Sequence, residues 1–377
     1  MKEGSPISSS RLTPGSASAL ALPRSGRVAG RPPLRVGRFS GVWRPRLVGV
    51  TLAGVAALTL VAAVNVGLGD FPIPVAEVLR VLFGAGTGAE QFIVLELRLP
   101  RTLTGALVGA ALGLSGAVTQ AVARNPLASP DLLGVTAGAS VAAVALIVLG
   151  SVGPLGALLG GASLPMAALI GGLGAAALVY VLAWRRGIEG YRLVLVGIGI
   201  HAVALSLTQW LLVVAQIDEA ARATVWLTGS LNARGWEHVV PVGLALAVLV
   251  PIALLLTFGL GALQFGDDTA RGLGIRVNRA RSALILVAIG LAAVATSSAG
   301  PILFVALVVP QITQRLVGAA RPPLLAAAVY GALLVVGSDL IARTVLGSEL
   351  PVGIVTAAVG APYLLYLLAR RNREVMA

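Results

Sequence analysis

The chain is 377 residues long, 57% hydrophobic and only 11% charged, with a mean hydropathy of +0.93 and a formal net charge of +13. A soluble globular protein carries about 25% charged residues and breaks its apolar runs far more often, so that class is excluded. Cysteine is absent, which removes disulfides, iron–sulfur ligation and thiolate metal sites; with Lys2 as the sole lysine, no phosphate-binding GxxxxGK loop exists either.

Residues 1–46 are rich in Ser, Pro, Gly and Arg, with nine basic residues and one acid, Glu3. They read as a disordered basic arm. The first long apolar run begins only near Leu47 and is long enough to cross a bilayer, so it reads as a retained span rather than a cleaved signal. Residues 47–377 form the transmembrane domain. Ten apolar stretches are predicted to span, at about 47–68, 102–122, 132–152, 163–184, 193–215, 237–260, 280–299, 301–318, 324–344 and 352–369. Around Gly300-Pro301, two spans and one kinked segment are competing readings. With the arm in the cytoplasm, 22 of the 28 basic residues fall on the cytoplasmic side; Arg80, Arg98, Arg101, Arg222, Arg234 and Arg343 fall outside. The positive-inside rule thus predicts cytoplasmic N- and C-termini, and the basic balance reports orientation rather than a nucleic-acid partner.

The second span opens with Arg98-Leu99-Pro100-Arg101 and carries Gly105, Gly109 and Gly113 at four-residue spacing, a face on which helix backbones approach closely. A loop with two prolines follows, Arg124-Asn125-Pro126-Leu127-Ala128-Ser129-Pro130-Asp131-Leu132-Leu133-Gly134. Within the segment of about 264–279, Asp267 and Asp268 stand where a short helix begins and Gly274 where it ends. That helix is a docking element or an ordinary capped surface turn. A third reading, an Mg²⁺–diphosphate site on the two aspartates, needs a second acid cluster, and the other acids on that side, Glu3, Asp131, Glu189 and Glu374, are scattered. Arg98 and Arg101 can simply anchor a helix end at the headgroups. Asp339 and Arg343 are four apart and can pair on one helix face. His201 lies inside the fifth span, either as a functional group or as a neutral histidine bonded to a neighbouring helix. Only His201 and His238 exist, at different depths, so no coordination shell for a bare transition metal can be assembled.

The combination of RLPR, the glycine-striped helix, RNPLASPDLLG, GPILFVALVVPQ and DLIAR…ELPVGIVTAAVGAP resembles the permease subunit of binding-protein-dependent ABC importers for ferric siderophores, haem and vitamin B12. The resemblance covers residues 47–370 and leaves out the arm. Arg186–Leu193, Gly197–Ile200 and Gly266–Ala270 look most like the second permease of enterobactin-type systems. Two positions depart from the pattern: Phe304-Val305-Ala306-Leu307 replaces F-x-G-L, and Pro310-Gln311 replaces P-H. The resemblance implies an all-α, type II ABC importer permease fold of about ten spans. It implies ATPase coupling at Asp267, Asp268, Ala270, Leu273 and Gly274, and an inner gate at Glu189, Gly190 and Tyr191. It places Gly197, Gly199 and His201 along the pathway, and the docking of a binding protein at Arg98, Arg101 and Arg343. No catalytic residue, cofactor or protein-held metal is implied, so iron would arrive inside a chelator. The implied partners are ABC ATPase subunits, a second permease of different sequence, an extracytoplasmic siderophore-binding protein and membrane lipid. A vitamin B12 or haem importer and an ion-coupled secondary transporter are the alternatives. The latter generally needs intramembrane acids, of which Asp339 is nearly the lone example.

Overall fold

The computed structural model describes residues 44–69, 71–150, 163–184, 190–263, 265–344 and 350–376, with the backbone of 33–36 and 39–42. The chain divides into Met1–Pro45 and Arg46–Ala377. In the first unit, expected to lack regular structure, β1 (Pro33–Val36) pairs antiparallel with β2 (Phe39–Val42), Pro33 opposite Val42 and Val36 opposite Phe39. Leu34 and Val36 alternate with Arg35 there, a period-two pattern that the overall composition of the arm obscures.

The second unit is helical. α1 (Pro45–Gly67) is followed by the short amphipathic α2 (Val75–Leu82). A single turn, Gly88–Gln91, and a π-helical stretch, Phe92–Arg98, lead directly into α3 (Leu99–Ala123). A 3₁₀ turn at Pro130–Leu133 precedes α4 (Val135–Leu149), and α5 (Leu164–Ala183), α6 (Gly190–Val214), α7 (Ile217–Leu227) and α8 (Trp236–Leu255) follow. Two short helices, α9 (Thr257–Leu263) and α10 (Asp267–Gly272), lead to α11 (Val277–Ala299), α12 (Val305–Val317), α13 (Leu324–Thr344) and α14 (Val352–Met376).

Every expected span has a helix at its place. Seven helices are long and apolar enough to cross a membrane, while Val135–Leu149, Val305–Val317 and Val352–Leu367 are shorter. The 13 residues of α12 rise only about 20 Å at 1.5 Å each, against a hydrocarbon core of about 30 Å. Protein packing makes that length tolerable: Gly300, Pro301 and Ile302, which precede α12, are buried. Gly300 (φ 75°) and Phe304 (φ 67°) both adopt left-handed backbone, so 280–318 is two helices joined by a break rather than one kinked span. The carbonyl of Ala299, freed at the end of α11, accepts from the Ser230 amide at 2.8 Å.

The core is built around α3, which packs on α13, α11, α12 and α8. Most of α3 and α11 is buried, whereas α1 is exposed along nearly its whole length. Glycine permits the closest of these crossings. A Cβ at Gly109 would lie 2.3 Å from the Gly331 carbonyl oxygen, at Gly113 2.1 Å from that of Ala327, and at Gly116 1.8 Å from that of Ala306. At Gly105 the nearest atom belongs to the Leu231 side chain, 2.8 Å away.

Candidate functional site

The residues singled out in the sequence gather at the two ends of the helical unit and along α6. At one end, Asp339 on α13 is 1% exposed and sits in a polar network inside apolar helices. Arg101 Nη2 donates to it at 2.8 Å and Arg101 Nε at 3.2 Å, while Arg343 Nε lies 3.7 Å away. The expected Asp339–Arg343 pair therefore forms, but Arg101 is the nearer partner. Asn65, fully buried near the end of α1, donates to Asp339 at 3.3 Å and to Thr102 at 3.0 Å, and Arg343 donates to both oxygens of Asn65. Burying one carboxylate is costly unless it is paired and bonded, and this one is both. Arg98, also buried, donates to the carbonyls of Val66 (3.0 Å), Gly67 (3.1 Å) and Phe71 (2.7 Å), closing the C-terminus of α1. Asn65 and Thr102 were missed in the sequence; the signal that could have found Asn65 is an amide inside an otherwise apolar run.

At the opposite end stands α10. The order of its parts follows the sequence reading: Gly266 precedes it, Asp267 and Asp268 open it, and Gly274 (φ 79°) ends the turn beyond it. Its residues divide by direction. Ala270 is fully buried, and Asp267 receives Arg124 Nη2 at 2.8 Å and Arg281 Nη2 at 2.9 Å. Asp268 is exposed and paired with Arg271 at 2.8 Å, and Leu273 is 58% exposed. Partial burial pushes the Asp267 carboxyl up, but the guanidiniums of Arg281 and Arg124 outweigh it and hold the group below the usual carboxylate range. Adjacent positions on a helix do not face each other, so Asp267 and Asp268 diverge and form no shared metal–diphosphate site. Arg124 and Arg281 were not singled out beforehand. Arg124 adopts left-handed backbone (φ 50°) where α3 ends, a conformation whose sequence signal is the Asn125-Pro126 that follows.

A cavity of about 450 Å³ opens beside this cluster, lined by Arg124, Asp267 and Arg281, by Leu193 and Val194 of α6, and by the loop after α3. Of the expected gate residues, Glu189 lies outside the described residues, and Gly190 and Tyr191 form the first turn of α6. Gly197 is a packing position: a Cβ there would meet the Leu132 carbonyl oxygen at 1.8 Å. Gly199 has nothing within 4 Å, and His201 is exposed. The three therefore separate, Gly197 against the 3₁₀ turn and the other two on the open side of the helix. Among the described residues, no three His, Asp or Glu side chains converge as a metal site.

This arrangement has known counterparts. Residues 57–370 match the FecCD transport family. The ferric enterobactin transport system permease protein FepG of Escherichia coli (strain K12) is 39% identical over 331 residues, covering 87% of this chain and 98% of that protein. The achromobactin transport system permease protein CbrC of Dickeya dadantii (strain 3937) is 40% identical over 341 residues, 90% of this chain and 96% of the relative. A solved structure described as an inward-facing conformation of a metal-chelate type ABC transporter superposes with a TM-score of 0.74 at 27% identity, covering 87% of this chain and 100% of that one. With the match running from α1 into α14 and nearly the whole length of each relative covered, the chain belongs to the FecCD transport family and is a multi-pass membrane permease.

Proposed function

We propose that the chain is the permease subunit of an ATP-driven importer that moves a ferric siderophore across the cytoplasmic membrane by alternating access. The observation that carries this reading is α10, a short helix beyond the ends of the spans that buries Ala270 and ties down Asp267 while presenting Asp268 and Leu273. A surface so divided, anchored on one side and offered on the other, suits an ATPase partner. The α10 end is then cytoplasmic, with both chain termini, and the Asp339 end is extracytoplasmic. The names of FepG and CbrC, both siderophore system permeases, support the cargo class. They also support a second permease of different sequence and a binding protein as partners. The first turn of α6, with Glu189, Gly190 and Tyr191, is the proposed inner gate, and Gly199 and His201 on its open side line the pathway.

Docking of the binding protein is proposed at the Asp339 end with a modified role for the arginines. Arg98 is committed to three carbonyls and Arg101 to Asp339, so these cations act through the net positive charge of a fixed network, which steers encounter and register. Asp339, neutralised by Arg101 and Arg343, gives no support to an ion-coupled mechanism. The test is a Leu273→Asp variant purified with the ATPase subunits and reconstituted in liposomes. The expected result is loss of ATPase association and of ATP-dependent ferric siderophore uptake, with the permease still folded. Unchanged association would move the coupling site elsewhere, and uptake without any ATPase would overturn the reading.

A further inference from the structure

A helix of six residues has little stability of its own, so the elements that hold α10 decide where its displacement goes. Its carboxylate is held from two of them at once. Arg124 stands where α3 ends, and Arg281 lies near the start of α11; these are the two most buried helices of the core. Asp267 Oδ1 receives both guanidiniums, at 2.8 and 2.9 Å, and Oδ2 receives Arg281 again at 3.1 Å. Arg124 donates in addition to the carbonyl of Leu263, the last residue of α9. Beyond Arg124 the chain runs through the Asn-Pro loop to Leu132, whose carbonyl abuts Gly197 of α6. The cavity of about 450 Å³ touches the three charged residues and also Leu193 and Val194, in the first turns of α6. Protein interiors are otherwise close-packed, so this space lets the start of α6 shift without displacing core side chains.

We propose that the Arg124–Asp267–Arg281 triad is the strut that delivers the displacement of α10 to α3 and α11, and through the Asn125–Gly134 loop to α6. The inference rests on the reading of α10 as the ATPase-docking helix, and it makes Arg124 and Arg281 positioning residues for coupling rather than contacts of the ATPase. The geometry favours a strut over a simple anchor because the two arginines belong to different helices and meet on one oxygen. Movement of that oxygen is felt by both. The strut also stays charged in the cytoplasm. The carboxyl of Asp267 is lowered in the folded protein, so its stabilising contribution is complete above the usual carboxylate range and is lost only as pH falls through the lowered value.

The test uses the assembled complex in liposomes, with Arg124→Gln, Arg281→Gln and the charge-keeping Arg124→Lys and Arg281→Lys, reading ATPase co-purification, melting temperature, ATP hydrolysis and uptake together. The glutamine variants are expected to keep the ATPase and the wild-type melting temperature, with hydrolysis changed by no more than about twofold while uptake per ATP falls about tenfold. Arg281→Lys is expected to recover most of the loss. Should a glutamine variant fail to fold, its lysine counterpart is expected to fold and to show an uptake per ATP about threefold below wild type, since a point charge replaces the fork. Uptake per ATP at the wild-type level in a folded glutamine or lysine variant would overturn the strut. So would loss of the ATPase from a folded variant, which would place these arginines in the docking contact. Failure of the docking reading itself is distinct, because it appears as retained ATPase in Leu273→Asp.

Discussion

Of the 28 basic residues all but Lys2 are arginine, and the described contacts show what the guanidinium fork is used for. Arg98 serves three carbonyls where α1 ends, Arg46 Nε donates to Leu316 at 2.8 Å where α12 ends, and Arg124 serves Leu263 where α9 ends. The last carbonyls of a helix have no partner within it, and in or near lipid no water is at hand to supply one. A fork with five donors reaches several carbonyls at once, and its charge also suits the negative end of the helix dipole. Arg98→Ala is therefore expected to destabilise the fold by about 1–3 kcal/mol, since it strands buried acceptors, and Arg98→Lys to recover part of that. The measurement is thermal unfolding in detergent; an unchanged midpoint in Arg98→Ala would remove the cap from the list of stabilising contacts. The sequence made the arginine legible but not its partners, which lie 31 and 32 positions away for Gly67 and Val66. Charge at a span end looks the same whether it faces headgroups, a docking protein or a neighbouring helix end. The same ambiguity hid Arg124 and Arg281, whose shared carboxylate is 143 positions from one and 14 from the other.

At the scale of helices, the hydrophobic runs were legible because a bilayer demands them, and each of the ten had a helix in its place. The break at Gly300–Phe304 was undecided in sequence because a Gly-Pro pair is compatible with both a kink and a stop. Tertiary burial of the break and the Ser230–Ala299 bond decide for a stop. The glycine stripe of α3 announced a close crossing but not its partner. Gly109 and Gly113 meet the backbone of α13, Gly105 meets only a side chain, and Gly116, outside the stripe as read, has the tightest approach of the four. Its neighbour Ala306 occupies the position where the family pattern carries glycine. These distances predict a contrast. At Gly113 even alanine puts a carbon 2.1 Å from a backbone oxygen, so Gly113→Val must push α3 and α13 apart, at a cost of about 1–3 kcal/mol or more. Gly199 on α6 has open space around it, and Gly199→Val is expected to melt like the wild type. Equal melting temperatures for the two variants would contradict the crossing geometry.

At the scale of the whole molecule, the question is which exposed faces meet lipid and which meet something else. α1 and α6 both expose large apolar side chains, Leu52, Val55 and Leu60 on the first and Leu195, Ile198 and Val203 on the second. Their polar residues differ. On α1, Thr51 and Thr59 bond back to the carbonyls of Leu47 and Val55 on their own helix, an arrangement that leaves nothing wanting in lipid. On α6 the exposed surface carries His201 and Gln209, groups that lipid would penalise and that a wet pathway would not. A charge placed on each face separates the two environments. Leu60→Arg is expected to cost about 2.5–3.5 kcal/mol of insertion and to lower the yield of folded protein. Val203→Arg is expected to leave yield and assembly with the second permease near wild type while uptake falls, because a water-filled pathway accepts the charge but not its passage beside a bulky cargo. The comparison is made by membrane yield, co-purification and uptake in the same preparations. An equal loss of yield for both would set α6 against lipid, and loss of the second permease alone from Val203→Arg would make that face a subunit contact; either outcome withdraws Gly199 and His201 from the pathway.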